Sequence, residues 1–291
     1  MEIRTEEITA PAKVNIYLKI VGKRPDGYHE LETLFHPFPA LNDKLTISPA
    51  DRGFSLNCPG FDLPVEQNLV WKAWDRYASA TGFRPGLDVE LQKNIPTGAG
   101  LGGGSSDAAM ILRYLQNRPD SPGMPADELN TLAASLGADV PFFLLDGPAW
   151  ATGIGEKLDP CEVDLAGMTA VLACPDVHVN TAWAYKKWSE LKPEKKDHLE
   201  SGFCLTTSPG AYKKTAFKTR AVLYNDFETV VFPEFPYLRE VKEMILNCGA
   251  SGAVMSGSGA SIFSLFRDSD KALKTSEKLD AESIPNVICH F

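Results

Sequence analysis

The sequence predicts an α+β fold in two domains. Three features carry that expectation: strand-like alternation in the first ninety residues, a glycine-rich stretch set between a strand and an apolar helix, and a second half that alternates helices with strands. Val14, Ile16, Leu18 and Ile20 alternate with Asn15, Tyr17 and Lys19, and shorter strand runs follow at Lys44 to Ser48 and Phe54 to Cys58. Asn68 is a good helix cap, and Leu69, Trp71, Trp74 and Tyr77 place an apolar stripe on the helix that follows, until Thr81-Gly82 ends it. A strand at Leu87 to Leu91 leads into the glycine stretch from Pro96 to Gly104, and Ala108 to Leu115 suits a helix. Another helix is expected from about Pro125 to Leu136, stopped by Gly137.

Between residues 155 and 168 the texture changes, with Gly155, Pro160 and Gly167 punctuating a polar connection before the apolar strand Met168 to Cys174. That places the division between domains 1–163 and 164–291. The second half should hold helices over Thr181 to Leu191, Glu234 to Leu246 and Asp268 to Leu279, two strands around Ser256 to Ser261, and a solvated charged loop at Lys192 to Glu200.

Composition excludes several classes. With 44% hydrophobic and 23% charged residues the chain can bury a core, and no apolar run approaches the roughly 20 residues of a membrane span. A net charge of -9 argues against a general nucleic-acid binder, whose affinity rests on Lys and Arg neutralising phosphates. Six widely spaced cysteines without a Cys-x-x-Cys pair read as reduced small hydrophobes, and residues 1–7 have neither the basic opening nor the apolar stretch of a signal peptide. The expectation is a cytoplasmic protein that needs no membrane.

The strongest chemical signal is Pro96-Thr97-Gly98-Ala99-Gly100-Leu101-Gly102-Gly103-Gly104-Ser105-Ser106. Glycines let backbone N–H groups approach an anion, and the helix that follows adds partial positive charge, which is what a polyphosphate cradle requires. Gly103 is expected to need both the room a side chain would fill and access to positive φ. A flexible linker is the bland alternative, and linkers rarely join a strand to an apolar helix. Three other phosphate-binding templates fail. No Gly-Lys-Ser/Thr follows the glycines, as a P-loop needs; residues 117–125 lack the strand and acidic end of a dinucleotide fold; and neither His-Arg-Asp nor Asp-Phe-Gly occurs.

The run Pro-x-x-x-Gly-Leu-Gly-Gly-Gly-Ser-Ser resembles the phosphate loop of the GHMP kinase superfamily. Ala10-Pro11-Ala12-Lys13-Val14-Asn15, Arg24-Pro25-Asp26-Gly27-Tyr28-His29-Glu30-Leu31, Leu136-Gly137-Ala138-Asp139-Val140-Pro141 and Ser256-Gly257-Ser258-Gly259-Ala260-Ser261 stand in the order of that superfamily's branch acting on 4-diphosphocytidyl-2-C-methyl-D-erythritol. The resemblance spans residues 10 to about 266. It implies an N-terminal domain like domain 2 of ribosomal protein S5 and a ferredoxin-like C-terminal domain. It implies ATP and Mg2+ as cofactors, a small-molecule alcohol as substrate, no nucleic-acid partner, and a monomer or weak homodimer. One departure is Asp107, where the family pattern has a neutral residue; a carboxylate beside a triphosphate must point away or meet a cation.

The resemblance also assigns residues. Asp139 would take the hydroxyl proton with Lys13 as its cationic helper, although Asp139 alone could be a helix cap and Lys13 a surface lysine. Asn68, Lys93 and the stretch from Pro96 to Ser106 would hold ATP, although Asn68 could equally be only a cap and Lys93 only a strand-end charge. Asn15, Tyr28, His29 and Tyr185 would hold the acceptor, with Tyr185 otherwise read as helix core. Ser105 or Ser106 could hold Mg2+ through a hydroxyl. Gly153-Ile154-Gly155-Glu156 reads as a plain hairpin. The rivals are another GHMP small-molecule kinase and a non-catalytic ligand sensor of the same fold, which would have lost Lys13 or Asp139.

Overall fold

In the computed structural model, residues 4–61, 64–191, 204–205 and 221–291 are described. The charged loop expected at Lys192 to Glu200 lies outside them. In chain order the elements are β1 (Glu6–Lys23), β2 (His29–Ala50), β3 (Phe54–Asn57), α1 (Leu69–Thr81), β4 (Gly86–Gln92), α2 (Gly103–Asn117), α3 (Ala126–Leu136), β5 (Ala149–Gly153), β6 (Lys157–Pro160) and β7 (Thr169–Ala173). They continue with α4 (Thr181–Leu191), β8 (Cys204–Leu205), β9 (Ala221–Val222), β10 (Tyr224–Asn225), α5 (Glu228–Glu234), α6 (Pro236–Asn247), β11 (Gly252–Met255), β12 (Ile262–Phe266), α7 (Ser269–Ala281) and β13 (Asn286–His290). Short 3-10 helices cover Val65–Gln67 and Val140–Leu144.

The chain forms two compact units, and each draws on separate stretches of sequence. The first holds Met1–Ala12, Leu41–Thr97 and Gly102–Asp146; the second holds Lys13–Ala40, Gly98–Leu101 and Gly147–Phe291. In the first unit the end of β2 pairs antiparallel with β4, from Lys44 against Gln92 to Ala50 against Gly86, and β3 runs parallel to β4 on its other edge. Gly86 has to be glycine, because a Cβ there would meet the Ala50 carbonyl oxygen at 2.2 Å. Helices α1, α2 and α3 pack on one another, burying Trp74, Tyr77, Ile111 and Leu115. The Asn68 side chain accepts the Val70 N–H, and Gly82, in the left-handed region at φ 74°, ends α1, so both punctuation marks read from the sequence act as expected.

In the second unit β1 lies between β2 and β10, with Tyr17 and Leu18 pairing parallel with Tyr224 and Asn225, and β5 joins β2 on the Leu31 to Phe35 stretch. A separate antiparallel sheet, in the order β11-β12-β7-β13, is covered by α6 and α7, whose Val241, Ile245, Ala272 and Leu279 meet Val171, Ala173 and Phe266. That is the helix-on-antiparallel-sheet layering expected of the C-terminal half.

Two expectations need correction. The strands placed around Ser256 to Ser261 flank that run instead: β11 ends at Met255 and β12 begins at Ile262, leaving the six small residues as the connecting loop. Gly257 (φ 56°) and Gly259 (φ 97°) turn it in the left-handed region, which a strand cannot do. The second correction concerns the alternative reading of Lys13 on β1 as a surface lysine. Lys13 and Asn15 are as buried as Ile16 and Leu18, at 4% and 2% exposed. Among the described residues no helix is long and apolar enough to cross a membrane, and Cys58, Cys161, Cys174, Cys248 and Cys289 are free thiols.

Candidate active site

The glycine stretch alternates its backbone. Gly98, Gly100 and Gly102 have φ of 71°, 77° and 73°, all in the left-handed region. Such alternation turns successive N–H groups toward one side, forming a concave anion seat. Gly102 is the N-cap of α2 and has no side chain to take the helix's first N–H groups, which stay available to an anion. Gly103 departs from the expectation of a positive φ: it is the first residue of α2 and has none. Its need for glycine is spatial, because a Cβ there would stand 3.0 Å from Ile95 Cγ2 and 3.2 Å from Asp43 Oδ2.

Within the second unit the Gly98–Leu101 part of the loop is seated on the Ser256 loop. Ser256 Oγ donates to the Gly100 carbonyl at 3.0 Å and Ser261 N–H to the Ala99 carbonyl at 3.3 Å. Asn225 Nδ2 in turn holds that loop by donating to the Met255 and Gly257 carbonyls at 2.6 and 2.7 Å. The same unit brings Lys13 to the phosphate loop, since its backbone N–H donates to the Leu101 carbonyl at 2.9 Å. Lys13 Nζ donates to Asn15 Oδ1 at 2.7 Å and lies 4.9 Å from the centre of the Phe35 ring. Asn15 Nδ2 donates to Thr33 Oγ1, which donates to the Tyr17 carbonyl. A buried lysine held by this chain of hydrogen bonds is a placed cation and not a solvated surface group. Asn15, expected at the acceptor, has its side chain engaged with Lys13 and Thr33.

In the first unit the half-buried Lys93 stands between two carboxylates, touching Asp43 closely and donating to Asp107 Oδ2 at 2.6 Å. That answers the question Asp107 raises: it meets a cation. Burial opposes the charge on Lys93, yet the two acids outweigh it and raise its pKa. Burial pushes the Asp107 carboxyl up to about 7 although Lys93 pulls it down. Asp43 Oδ1 also accepts the N–H groups of Asn94 and Ile95 at 2.6 and 2.8 Å, which fixes the backbone entering the loop at Pro96 and Thr97. Among the described residues, Asp107 Oδ1 and the fully buried Ser106 Oγ have no hydrogen-bond partner.

Asp139 occupies the N-cap position of the 140–144 turn of 3-10 helix, and its side chain makes no capping bond, so that the cap explanation of this residue is not realised. Its turn passes the start of α2: a Cβ on Gly137 would lie 3.7 Å from Ser105 Oγ. Gly104 faces open space by comparison, with only Leu69 Cδ1 at 3.6 Å.

The expected acceptor residues cluster in the second unit. Tyr28 is 61% exposed at the Asp26-Gly27 turn, where Asp26 Oδ1 accepts its N–H. His29 stacks on Tyr185 of α4 at 4.7 Å between ring centres and meets the edge of Trp188 at 5.9 Å. One face of Tyr185 is therefore covered by His29. Burial and Lys23 hold the His29 imidazole below the usual histidine range, so it is neutral at pH 7.

Comparison with known proteins bears on the family of the chain. The GHMP kinases N terminal domain profile matches residues 68–147, and the GHMP kinases C terminal profile matches residues 216–285. A 4-diphosphocytidyl-2-C-methyl-D-erythritol kinase from Solidesulfovibrio magneticus is 46% identical over 266 residues, 89% of this chain and 88% of the relative. The chain belongs to the 4-diphosphocytidyl-2-C-methyl-D-erythritol kinase family of GHMP kinases. A crystal structure of a 4-(cytidine 5'-diphospho)-2C-methyl-D-erythritol kinase superposes with a TM-score of 0.78 at 35% identity, covering 97% of this chain and 98% of that one. A homoserine kinase from Cytophaga hutchinsonii shares the fold, with a TM-score of 0.66 at 19% identity over 99% and 95% of the two chains.

Several residues of this family member escaped sequence reasoning. Asp43 sits in the middle of a strand, and its three partners are about 50 residues away, so local pattern carries no trace of it. Thr33 and Asn225 are ordinary polar residues until the fold is closed. His178, whose Nδ1 would stand 2.9 Å from a Cβ on Gly98, lies against the loop with no motif around it.

Proposed function

We propose that the protein transfers the γ-phosphoryl group of ATP to the 2-hydroxyl of 4-diphosphocytidyl-2-C-methyl-D-erythritol, giving the 2-phosphate and ADP, a step of the non-mevalonate route to isoprenoid precursors. The observation that carries the reading is 46% identity over 89% of the chain to a kinase named for that substrate. The geometry supplies parts for it. Phosphoryl transfer depends mainly on positioning and on neutralising charge. The N–H groups of Gly98 to Ser106 seat the triphosphate, and Asn68 and Lys93 border the adenosine. The Lys13 ammonium, aimed by Asn15 and Thr33, balances charge on the transferring group. Asp139 accepts the hydroxyl proton.

Mg2+, when bound, shields charge between the phosphate oxygens. Hydroxyl oxygens suit this hard ion, which keeps several waters and takes few protein ligands. Ser105, half-buried at the first turn of α2, fits that description better than the sealed Ser106 hydroxyl. Residues 1–163 would carry the phosphate loop and 164–291 the second half of the kinase, in a cytoplasmic monomer or weak homodimer.

For the acceptor, Tyr28 and the stacked His29–Tyr185 pair offer aromatic faces and an imidazole to cytosine. Tyr28→Ala should raise the acceptor KM roughly 5- to 150-fold, matching the ~1–3 kcal/mol of one base-stacking contact, and leave the ATP KM nearly unchanged. CDP should compete with the acceptor and not with ATP. An ADP-release assay offering the cytidine-linked substrate, mevalonate, homoserine and galactose tests the whole reading. Turnover confined to any of the other three alcohols sinks it.

A further inference from the structure

The stacked pair His29–Tyr185 does not settle which base edge the imidazole can read, because a neutral histidine has one donor nitrogen and one acceptor nitrogen. Ser189, one turn along α4 from Tyr185, bears on that choice. Its hydroxyl stands 3.0 Å from the Tyr185 carbonyl, as donor, and 2.7 Å from His29 Nε2. The carbonyl can only accept, so the single hydroxyl hydrogen is directed to it, and the serine oxygen then accepts from Nε2–H. The chain Nε2–H to Oγ–H to carbonyl uses each donor once, and such chains reinforce each other. The opposite tautomer would take the hydroxyl away from the carbonyl. Nδ1 forms no hydrogen bond among the described residues. The ring cannot easily turn over, with Tyr185 on its face and Trp188 against its edge.

We propose that Ser189 is a positioning residue for base specificity: it locks His29 with Nδ1 as a hydrogen-bond acceptor, so that the acceptor site takes a base offering an amine donor, cytosine, and rejects one offering a carbonyl there, uracil. Cytosine carries one donor on its polar edge, the N4 amine, where a uracil has an oxygen acceptor. Against Nδ1 the amine forms a hydrogen bond and the uracil oxygen meets a lone pair. This deepens the proposed function and rests on it, because it assumes that the base of the acceptor lies against His29.

The test measures Ki for CDP and UDP against the phosphoryl acceptor in wild type, Ser189→Ala and Ser189→Thr, with the His29 tautomer read by nitrogen NMR. In the wild type CDP should bind more tightly than UDP and Nδ1 should carry no proton. Ser189→Ala frees the ring to exchange tautomers, so the CDP preference should fall about tenfold, the factor expected for one buried hydrogen bond, and the NMR should report both tautomers. The acceptor KM should rise while kcat and the ATP KM hold, and Ser189→Thr, which keeps the hydroxyl, should restore the preference. An unchanged CDP to UDP ratio in Ser189→Ala, or equal losses for both nucleotides, overturns the proposal and marks Ser189 as scaffold. A proton on Nδ1 in the wild type overturns it directly. If neither CDP nor UDP competes with the acceptor in the wild type, the cytidine reading itself fails and takes this inference with it, an outcome distinct from the other two.

Discussion

Asp139→Asn is expected to lower kcat by about 100-fold or more, the smallest usual worth of a general base, while ATP affinity stays within a few-fold. Asparagine keeps the size of the side chain and cannot accept a proton as the carboxylate does. The substitution should not cost the turn its shape. That turn is held by backbone bonds, Gly137 N–H to the Ala133 carbonyl at 3.3 Å and Val140 N–H to the Gly137 carbonyl at 3.1 Å, and the Asp139 side chain takes no part in capping. Loss of turnover with an unchanged Tm would report chemistry and not local unfolding. Single-turnover ADP release together with ATP calorimetry gives both numbers, and retention of more than about a tenth of wild-type kcat would show that the proton goes elsewhere.

Gly100→Val is the second substitution with a large expected effect, a loss of ATP affinity of tenfold or more together with a fall in Tm. Two costs coincide at this residue. Its φ of 77° lies in the left-handed region, where a non-glycine residue pays about 1–3 kcal/mol. A Cβ would also lie 2.1 Å from the Ser256 carbonyl oxygen, a backbone atom that no rotamer change can move. The loop would have to leave its seat on Ser256, breaking the 3.0 Å bond from Ser256 Oγ. Gly104→Ala is the control. That glycine is helical with 3.6 Å of clearance to Leu69 Cδ1, and its variant should bind ATP with near wild-type affinity. Equal behaviour of the two variants in calorimetry would mean that the loop's curvature has no part in phosphate binding.

How far the sequence speaks for the structure depends on the range of the force involved. The ends of α1 and α3 were legible because Asn68, Gly82 and Gly137 act on backbone groups within four residues. The phosphate loop was legible because four of its five glycines are needed one by one, three for conformation and Gly103 for room. The hairpin read at Gly153 to Glu156 does join β5 to β6, whereas β13 went unread: it is short, and it exists because Asn286 to His290 find β7 across more than a hundred residues. The Ser256 run is the opposite case, since its glycines are poor strand formers and already favoured the loop that docks Gly257 and Gly259 against Gly100. Lys13 was the least predictable of the site residues. A lysine alternating with apolar neighbours is ordinarily solvated, and local pattern does not show the partners that hold this one inside, among them the Leu101 carbonyl and, through Asn15, Thr33.

The parallel pairing of Tyr17 and Leu18 with Tyr224 and Asn225 also sets a timetable. During synthesis at roughly 5–20 residues per second, that edge of β1 leaves the ribosome some 10–40 seconds before its partner is made. Asp226, which accepts the Ile20 N–H at 2.5 Å, arrives just as late. Until then the strand offers open backbone groups beside a markedly apolar stretch, the usual template for pairing with another nascent chain. Efficient expression should therefore depend on elongation rate and on holdase chaperones more than the stability of the finished molecule would suggest, and fragments that stop before β10 should collect in the insoluble fraction.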